Sequence, residues 1–467
     1  MNPLLLEVSH VQATVEAFSP TCWLFASLLL GLVLCLAFEE KIHAKKSVIA
    51  GFFALISLLL GGVMGVLELD SGHGSHLPYY ILAIDWGVIC IILGSSLFVD
   101  VTSRSGLFTW VAIKLTKLSK GDPLLLLWFY GLMTVIFSAV LNNVTAMIIV
   151  GSLTAVSLDK LGKNDKLLGF LLVEGFLTNI GGLLTLISSV PNIIVGDAAG
   201  ISFLTFFQKV WLYVLLATII TIFIGAKKFG IIKLKSDKEK EEAALLVSGF
   251  NENDGIESRG FFSFGALMLV LFIVVIAATS ALPVINKLGM AFVALAFALI
   301  MLLRYKSAVD QFYKGLDWDL LGFFAALFVV INVMEHAQVL AMIGDGLSFI
   351  IDLDKTQTGL GTGTLLVTSA GFSSVTDNIP LAAMLANILQ TLNTAGDSNL
   401  WWSVIFGANL GGNLTPIGSA STLVAVTIMH KHKLNMSFVG FVKVALPFAL
   451  IQIILATMYV LFVLDFF

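Results

Sequence analysis

The residue that points most directly to chemistry is Asp377, in the string Ser373-Ser374-Val375-Thr376-Asp377-Asn378-Ile379-Pro380, a polar interruption of an otherwise apolar region. An ionisable side chain in such a setting is costly and functional by default. Burial disfavours a carboxylate and a nearby cation favours it. A carboxyl group that holds either a proton or a cation, but not both, is the simplest exchanger. The competing structural reading of Asp377 is a helix cap at a turn. A second string, Ser138-Ala139-Val140-Leu141-Asn142-Asn143-Val144-Thr145, has the same order of Ser, three residues, Asn/Asp and Asn. Ser138, Asn142, Asn143, Thr145, Ser373, Thr376 and Asn378 therefore offer oxygens suited to a hard cation such as sodium. For Asn142, Asn143 and Asn378, capping a broken helix and binding a ligand would use the same atoms.

A ten-residue pattern occurs twice. Asn179-Ile180-Gly181-Gly182-Leu183-Leu184-Thr185-Leu186-Ile187-Ser188 returns as Asn409-Leu410-Gly411-Gly412-Asn413-Leu414-Thr415-Pro416-Ile417-Gly418. Paired glycines and hydroxyl residues that interrupt corresponding apolar segments in two halves of a membrane protein mark a transporter's binding site. Asn179, Thr185, Asn192, Asn409, Thr415 and Ser419 are expected to line the two breaks. Breaking a helix frees carbonyl ends that suit a cation and amide ends that suit an anion. Glu174 lies about one turn before the first break; it is either a second titratable group or a vestibule residue. Asp100 and Glu335, the latter beside His336, end corresponding spans and are candidates for a proton path or for interfacial positions.

The elements that must position these residues are apolar runs near 22–38, 47–67, 80–101, 167–195, 202–226, 262–282, 288–303, 317–334, 400–428 and 438–466. Two further regions, about 123–158 and 360–393, are apolar with polar centres and read as re-entrant hairpins. The predicted fold is an all-α polytopic membrane protein with two inverted repeats. Each repeat holds transmembrane helices, a re-entrant hairpin and a discontinuous helix. The expected organisation is an N-terminal segment 1–21, repeat 1 at 22–226, a linker at 227–261 and repeat 2 at 262–467. Asp85-Trp86 and Asp317-Trp318 begin matching spans, with the tryptophans as interface anchors. The clusters Lys41/Lys45/Lys46, Arg104 to Lys120, Lys160 to Lys166, Lys227 to Lys240, Arg304 to Lys314 and Lys431/Lys433 fall on one side of this topology. That side is predicted to be cytoplasmic, with the N-terminus external. The loops 68–79, 196–201, 283–287 and 392–399 are expected on the opposite side.

The composition agrees: 58% hydrophobic and 12% charged, against about 25% charged in soluble domains. Such a chain could not cover a soluble core with polar surface, so the lipid bilayer is an expected partner. The net charge of −4 gives no pointer to nucleic acid. Cys22, Cys35 and Cys90 have no disulfide or metal spacing, and His73 and His76 read as loop residues. Glu7, His10 and Glu16 with no basic start argue against a cleavable signal peptide. The stretch 227–260 reads as a solvated linker and Trp401-Trp402 as an aromatic belt. No nucleophile–base pair, metal-ligand cluster or phosphate loop suggests an enzyme, and no cofactor is expected beyond sodium ions and protons.

At these residues the chain resembles the arsenite-permease/NhaD-type branch of the ion transporter superfamily. The strings that carry the resemblance are Val99-Asp100-Val101 with Ser105-Gly106-Leu107-Phe108, Ser138 to Thr145, Asn179 to Gly196, Asp377-Asn378-Ile379-Pro380 and Gly411 to Ser421. The resemblance implies a scaffold domain, a transport domain containing the hairpins, elevator-like movement and a homodimer. The family resembled includes sodium–proton antiporters, arsenite exporters and carriers of other anions. The sequence departs from the pattern in having Asn142 where many relatives have Asp, Ser188-Ser189-Val190-Pro191-Asn192 where many have Gly-Asp-Pro-Pro-Asn, and Thr422 where Asn is frequent. The expected function is secondary exchange of sodium (or lithium) for protons, with Asp377 alternating between them. The alternative is an arsenite, dicarboxylate or tricarboxylate permease coupled to sodium or protons. A channel or non-transporting scaffold is the reading from a different class; it would show no coupled exchange.

Overall fold

The computed structural model describes residues 15–67, 77–356, 359–376, 378–434 and 436–466, and these are entirely helical apart from turns and links. Asp377, His73, His76, Glu7 and His10 lie outside the described residues. The chain forms two compact units, Met1–Asp85 with Gly322–Gly346, and Trp86–Leu321 with Leu347–Phe467.

The first unit opens with α1 (Pro20–Ala37), α2 (Glu39–Ile42), α3 (Lys46–Val63) and α4 (Tyr79–Leu82). Ser19 caps α1 by accepting from the Cys22 amide, and Pro20 takes the first helical position, where no backbone donor is needed. Cys22 is fully buried, its thiol 3.5 Å from the Gln338 carbonyl. The Tyr79 hydroxyl donates to Asn332 Oδ1 at 2.5 Å.

The second unit contains α5 (Trp86–Arg104), α6 (Leu107–Leu118), α7 (Pro123–Val140), α8 (Asn143–Lys160), α9 (Leu167–Gly181), α10 (Val190–Ala198) and α11 (Phe203–Lys228). A polar link carries α12 (Asp237–Ser248) and leads to α13 (Arg259–Ala277), α14 (Pro283–Arg304) and α15 (Val309–Gly315). Then come α16 (Trp318–His336), which belongs to the first unit from Gly322 onward, and α17 (Val339–Thr356), which belongs to it as far as Gly346. The last elements are α18 (Leu360–Ser373), α19 (Asn378–Thr391), α20 (Asn399–Gly411), α21 (Ala420–Lys431) and α22 (Phe438–Phe462). Among the described residues, eight helices (α3, α5, α7, α11, α13, α14, α16 and α22) are long and apolar enough to cross a membrane.

The helices α7 and α8 form the first hairpin. Asp122 caps α7, its Oδ1 accepting the Leu125 amide at 3.0 Å. Leu141 leaves the helix in an extended conformation. Asn142 then starts α8, its Oδ1 accepting the Thr145 amide at 2.7 Å. Two residues thus reverse the chain. The second hairpin pairs α18 with α19. At 15 residues, α9 spans about 22 Å, short of the ~30 Å hydrocarbon core. The chain turns through 182–189 and resumes as α10, and α20 and α21 repeat this arrangement. Hairpin and broken helix recur in the same order, with α7 packed on α9 and α18 on α20.

The structure revises two local expectations and adds detail to a third. Residues 283–287, read as a loop, form the first turn of α14, started by Pro283 and separated from the rest of that helix by Gly289 at φ 77°. Trp401 and Trp402 are core residues at 1% and 2% exposure, and the Trp401 indole donates to the Ala395 carbonyl. The segment 227–260, read as a solvated linker, is exposed over most of its length and is anchored at a few points. Ile231, Val247 and Phe250 are buried, Leu234 donates its amide to Asp122 Oδ2, and Glu252 pairs with Lys117 and Lys114.

Candidate functional site

The repeated Gly-Gly motif lets each hairpin lie against a helix break. A Cβ built on Gly181 would meet the Val135 carbonyl oxygen at 2.6 Å, and one on Gly411 would meet the Ala370 carbonyl oxygen at 2.3 Å. Neither glycine has positive φ, so close backbone approach is the reason for it. Hydroxyl groups then stitch hairpin to break. Ser138 donates to the Thr178 carbonyl and to Asn143 Oδ1, both at 2.6 Å. Ser373 donates to the Ala408 carbonyl at 2.6 Å. In the reverse direction, Thr185 donates to the Ala139 carbonyl and Thr415 to the Ser374 carbonyl. These four sequence-predicted residues occupy equivalent places in the two halves and satisfy carbonyls that the helix ends free.

Within the first break, Asn192 donates to the carbonyls of Gly182 and Thr185, and Ser188 does the same. In the second, Thr422 donates to the Gly412 carbonyl. The Asn-to-Thr departure at position 422 therefore keeps a backbone contact with a shorter side chain.

The two halves clasp one another through reciprocal asparagines. The Asn179 amide donates to Asn413 Oδ1 at 2.8 Å, Ser419 Oγ at 3.0 Å and Thr422 Oγ1 at 3.4 Å. Its Oδ1 accepts from Ser421 at 3.1 Å and from Asn143 at 3.4 Å. Conversely, Asn409 donates to Asn192 Oδ1 at 2.8 Å and accepts from Ser189 at 2.7 Å. Each break asparagine thus reaches the segment after the break of the other half. Asn179, Asn192, Asn409 and Asn413 are all buried. Six sequence-predicted residues (Asn143, Asn179, Asn192, Asn409, Ser419 and, through its carbonyl contact, Ser138) meet in this one cluster.

The remaining predicted residues are placed as follows. Asn142 is exposed and caps α8, and Thr145 follows it in the first turn. Thr376 donates to the Phe372 carbonyl within its own chain segment, and Asn378 begins α19. Glu174 is fully buried, which excludes the vestibule reading in this conformation; Thr154 donates to its Oε1 at 2.6 Å. Asp100 pairs with Arg104 at 3.5 Å on α5. Glu335 is exposed in the first unit.

Sequence reasoning passed over Ser189, Asn413, Ser421, Gln452 and Thr221 as site residues. Asn413 donates to Gln452 Oε1 at 2.8 Å and to the Phe176 carbonyl at 3.2 Å. Gln452 in turn donates to Thr221 Oγ1 at 3.0 Å. A Gln within the apolar run of α22 was the available signal.

The cluster is built from uncharged Asn, Ser, Thr and Gln. Its electrostatics come from helix ends: α7, α9, α18 and α20 finish beside it with carbonyls, and α8, α10 and α21 start beside it with amides. Among the described residues, no group of three His, Cys, Asp or Glu could hold a metal ion.

Two inverted halves, each with a hairpin and a broken helix meeting at a buried polar cluster, define a multi-pass membrane transporter of the secondary type. The sequence profile described as "CitMHS: Citrate transporter" matches residues 33–407, and the chain belongs to that family. The match shows this family, and does not specifically show the arsenite-permease/NhaD-type branch. An uncharacterized transporter of Mycobacterium tuberculosis is 30% identical over 418 residues, covering 87% of this chain and 92% of the relative. The fold is similar to the YdaH transporter of Alcanivorax borkumensis, with TM-score 0.61 and 14% identity over 91% of this chain and 99% of that one. It is also similar to MtrF of Neisseria gonorrhoeae, with TM-score 0.58 and 11% identity over 96% of this chain and 95% of that one. These relatives are transporters, not enzymes.

Proposed function

We propose that the protein is a secondary active transporter of an organic carboxylate, of the di- or tricarboxylate class to which citrate belongs, coupled to protons or sodium in the cell's inner membrane. The observation that carries this reading is the convergence of three helix N-termini, those of α8, α10 and α21, on one buried polar cluster. Amide ends favour an anion without any Lys or Arg, and binding at such ends is a recurring transporter device. The opposing carbonyl ends and the Asn, Ser and Thr oxygens suit a coupling cation. The family's description as a citrate transporter supports the substrate class. Asn143, Asn179, Asn409 and Ser419 are the proposed substrate and ion contacts. The placement of Lys and Arg supports a cytoplasmic linker and an external N-terminus.

Sodium- or lithium-for-proton antiport is the second reading. It is favoured by Asp377, an acidic residue that falls between α18 and α19 in the sequence and could alternate between the two ions. Purified protein in liposomes with an internal pH-sensitive dye separates the two. Labelled citrate or a dicarboxylate should accumulate under an imposed pH or sodium gradient. Collapse of the pH gradient by sodium or lithium, with no movement of carboxylate or arsenite, would overturn the carrier reading in favour of antiport.

A further inference from the structure

Glu174 sits in α9 with no exposure. Its Oε1 accepts a hydrogen bond from Thr154 at 2.6 Å, and its Oε2 meets no hydrogen-bond partner among the described residues. Asp122, also buried, is spent on architecture, since it caps α7 and accepts the Leu234 amide. Glu174 lies in the middle of its helix, where there is no end to cap. An ionised carboxylate enclosed with one neutral donor is far costlier than a neutral carboxyl in the same place. The enclosure therefore tolerates the acid form, and ionisation requires a change in what surrounds the group.

A file of buried hydroxyls leads to this carboxyl. Tyr130 on α7 lies 2.5 Å from Thr116 Oγ1 on α6 and 2.8 Å from Ser157 Oγ on α8. Ser157 is one helical turn from Thr154 on the same helix. On its other side, Glu174 is one turn from Thr178, whose carbonyl accepts Ser138, the residue that also bonds Asn143 at the hairpin tip. Of the titratable groups on elements packed against α9, Tyr130 is electrostatically linked to Glu174. Lys209, Tyr213 and Lys228 on α11 are held by the carbonyls of Leu464, Gln452 and Val444. On α8, Asp159 accepts from Asn164, and Lys160 lies over Phe250. His430 on α21 contacts the Met436 carbonyl, and Lys166 pairs with Asp165 ahead of α9. Lys227 and Lys431 end their helices, and α20 has no titratable side chain.

We propose that Glu174 is the proton-carrying group of the transport cycle. Its carboxylate gains an O–H bond when a proton enters with the substrate, and that bond breaks when the proton leaves on the opposite side. The hydroxyl file is the route of exchange. Because α9 ends in the asparagine clasp, the protonation state of Glu174 acts on the helix that holds the site.

This rests on the transport reading, and the test keeps the two apart. In proteoliposomes, exchange of external labelled carboxylate for internal unlabelled carboxylate needs no net proton movement; uptake driven by an acid gradient does. E174Q should retain exchange and lose gradient-driven uptake by about tenfold or more, the scale of a typical coupling between two bound species. An E174Q protein with wild-type stimulation by the gradient overturns the proposal. T154V keeps the acid and removes its donor, so the pH of half-maximal uptake should move upward; an unchanged profile counts against the assignment. Absence of all carboxylate exchange in the wild type sinks the transport reading alone. In that case, infrared difference spectra still decide the role of Glu174. A protonated carboxyl C=O band that titrates with pH and vanishes in E174Q supports it, and absence of that band in the wild type refutes it.

Discussion

Asn179 spends both ends of its amide on the opposite half of the chain and on the hairpin tip. Replacement by Ala would leave the buried Asn413 Oδ1 without its donor and the buried Ser421 without one of its partners. Each orphaned group costs about 1–3 kcal/mol. N179A is expected to lower the thermal transition in detergent and to abolish uptake, whereas replacing Asn142, an exposed cap, should cost only about 1 kcal/mol of stability. Equal effects of the two substitutions would refute the clasp as the centre of the site. Both asparagines were legible in the sequence, because a polar residue repeated in register within apolar runs is too costly to stand there without a partner. Asn413 was less so, since its counterpart is Leu183 and the repeat pattern gives it no weight. Its partner Gln452 is far away in sequence, and only packing brings the two together.

At the level of elements, the hairpins and breaks were readable because membrane helices announce their interruptions. The burial of Trp401 and Trp402 and the points at which the exposed linker is anchored were not, because both depend on neighbours distant in sequence. Gly411 tests the hairpin–break contact. In G411A the new methyl would sit 2.3 Å from the Ala370 oxygen, while at Gly51 it would meet nothing within 4 Å. G411A should reduce both folded yield and uptake, with G51A near wild type; a silent G411A would show that the hairpin shifts freely. The linker makes a separate prediction. The hydrogen bond from Lys117, with the charges of Lys117 and Lys114, holds the Glu252 carboxyl below its ordinary range. A lowered folded-state pKa means that the pair stabilises the fold above the ordinary carboxylate pKa and loses that contribution as pH falls through the lowered value. The acid-side drop in melting temperature between neutral pH and pH about 3 should therefore be smaller in E252Q than in the wild type.

For the whole molecule, the clasp implies that the halves are held by more than the covalent link. A chain cut at Asn253-Asp254, in an exposed turn, should stay assembled through a mild-detergent gel filtration and still carry out uptake. Each half expressed alone should be inactive, because its break asparagine would face no partner. Separation of the cut chain on the column would show the linker, and not the clasp, to be what joins them.

The two breaks are alike but not equal. Asn413 anchors one of them to Gln452, Thr221 and the Phe176 carbonyl, and Leu183 offers the other nothing comparable. In a perfectly twofold molecule, a rearrangement that exchanged the roles of its halves would connect states of identical energy. Here such an exchange trades a tethered break for an untethered one. On the carrier reading the degeneracy would be lifted, and the protein at rest is expected to have a preferred facing even with no gradient across the membrane.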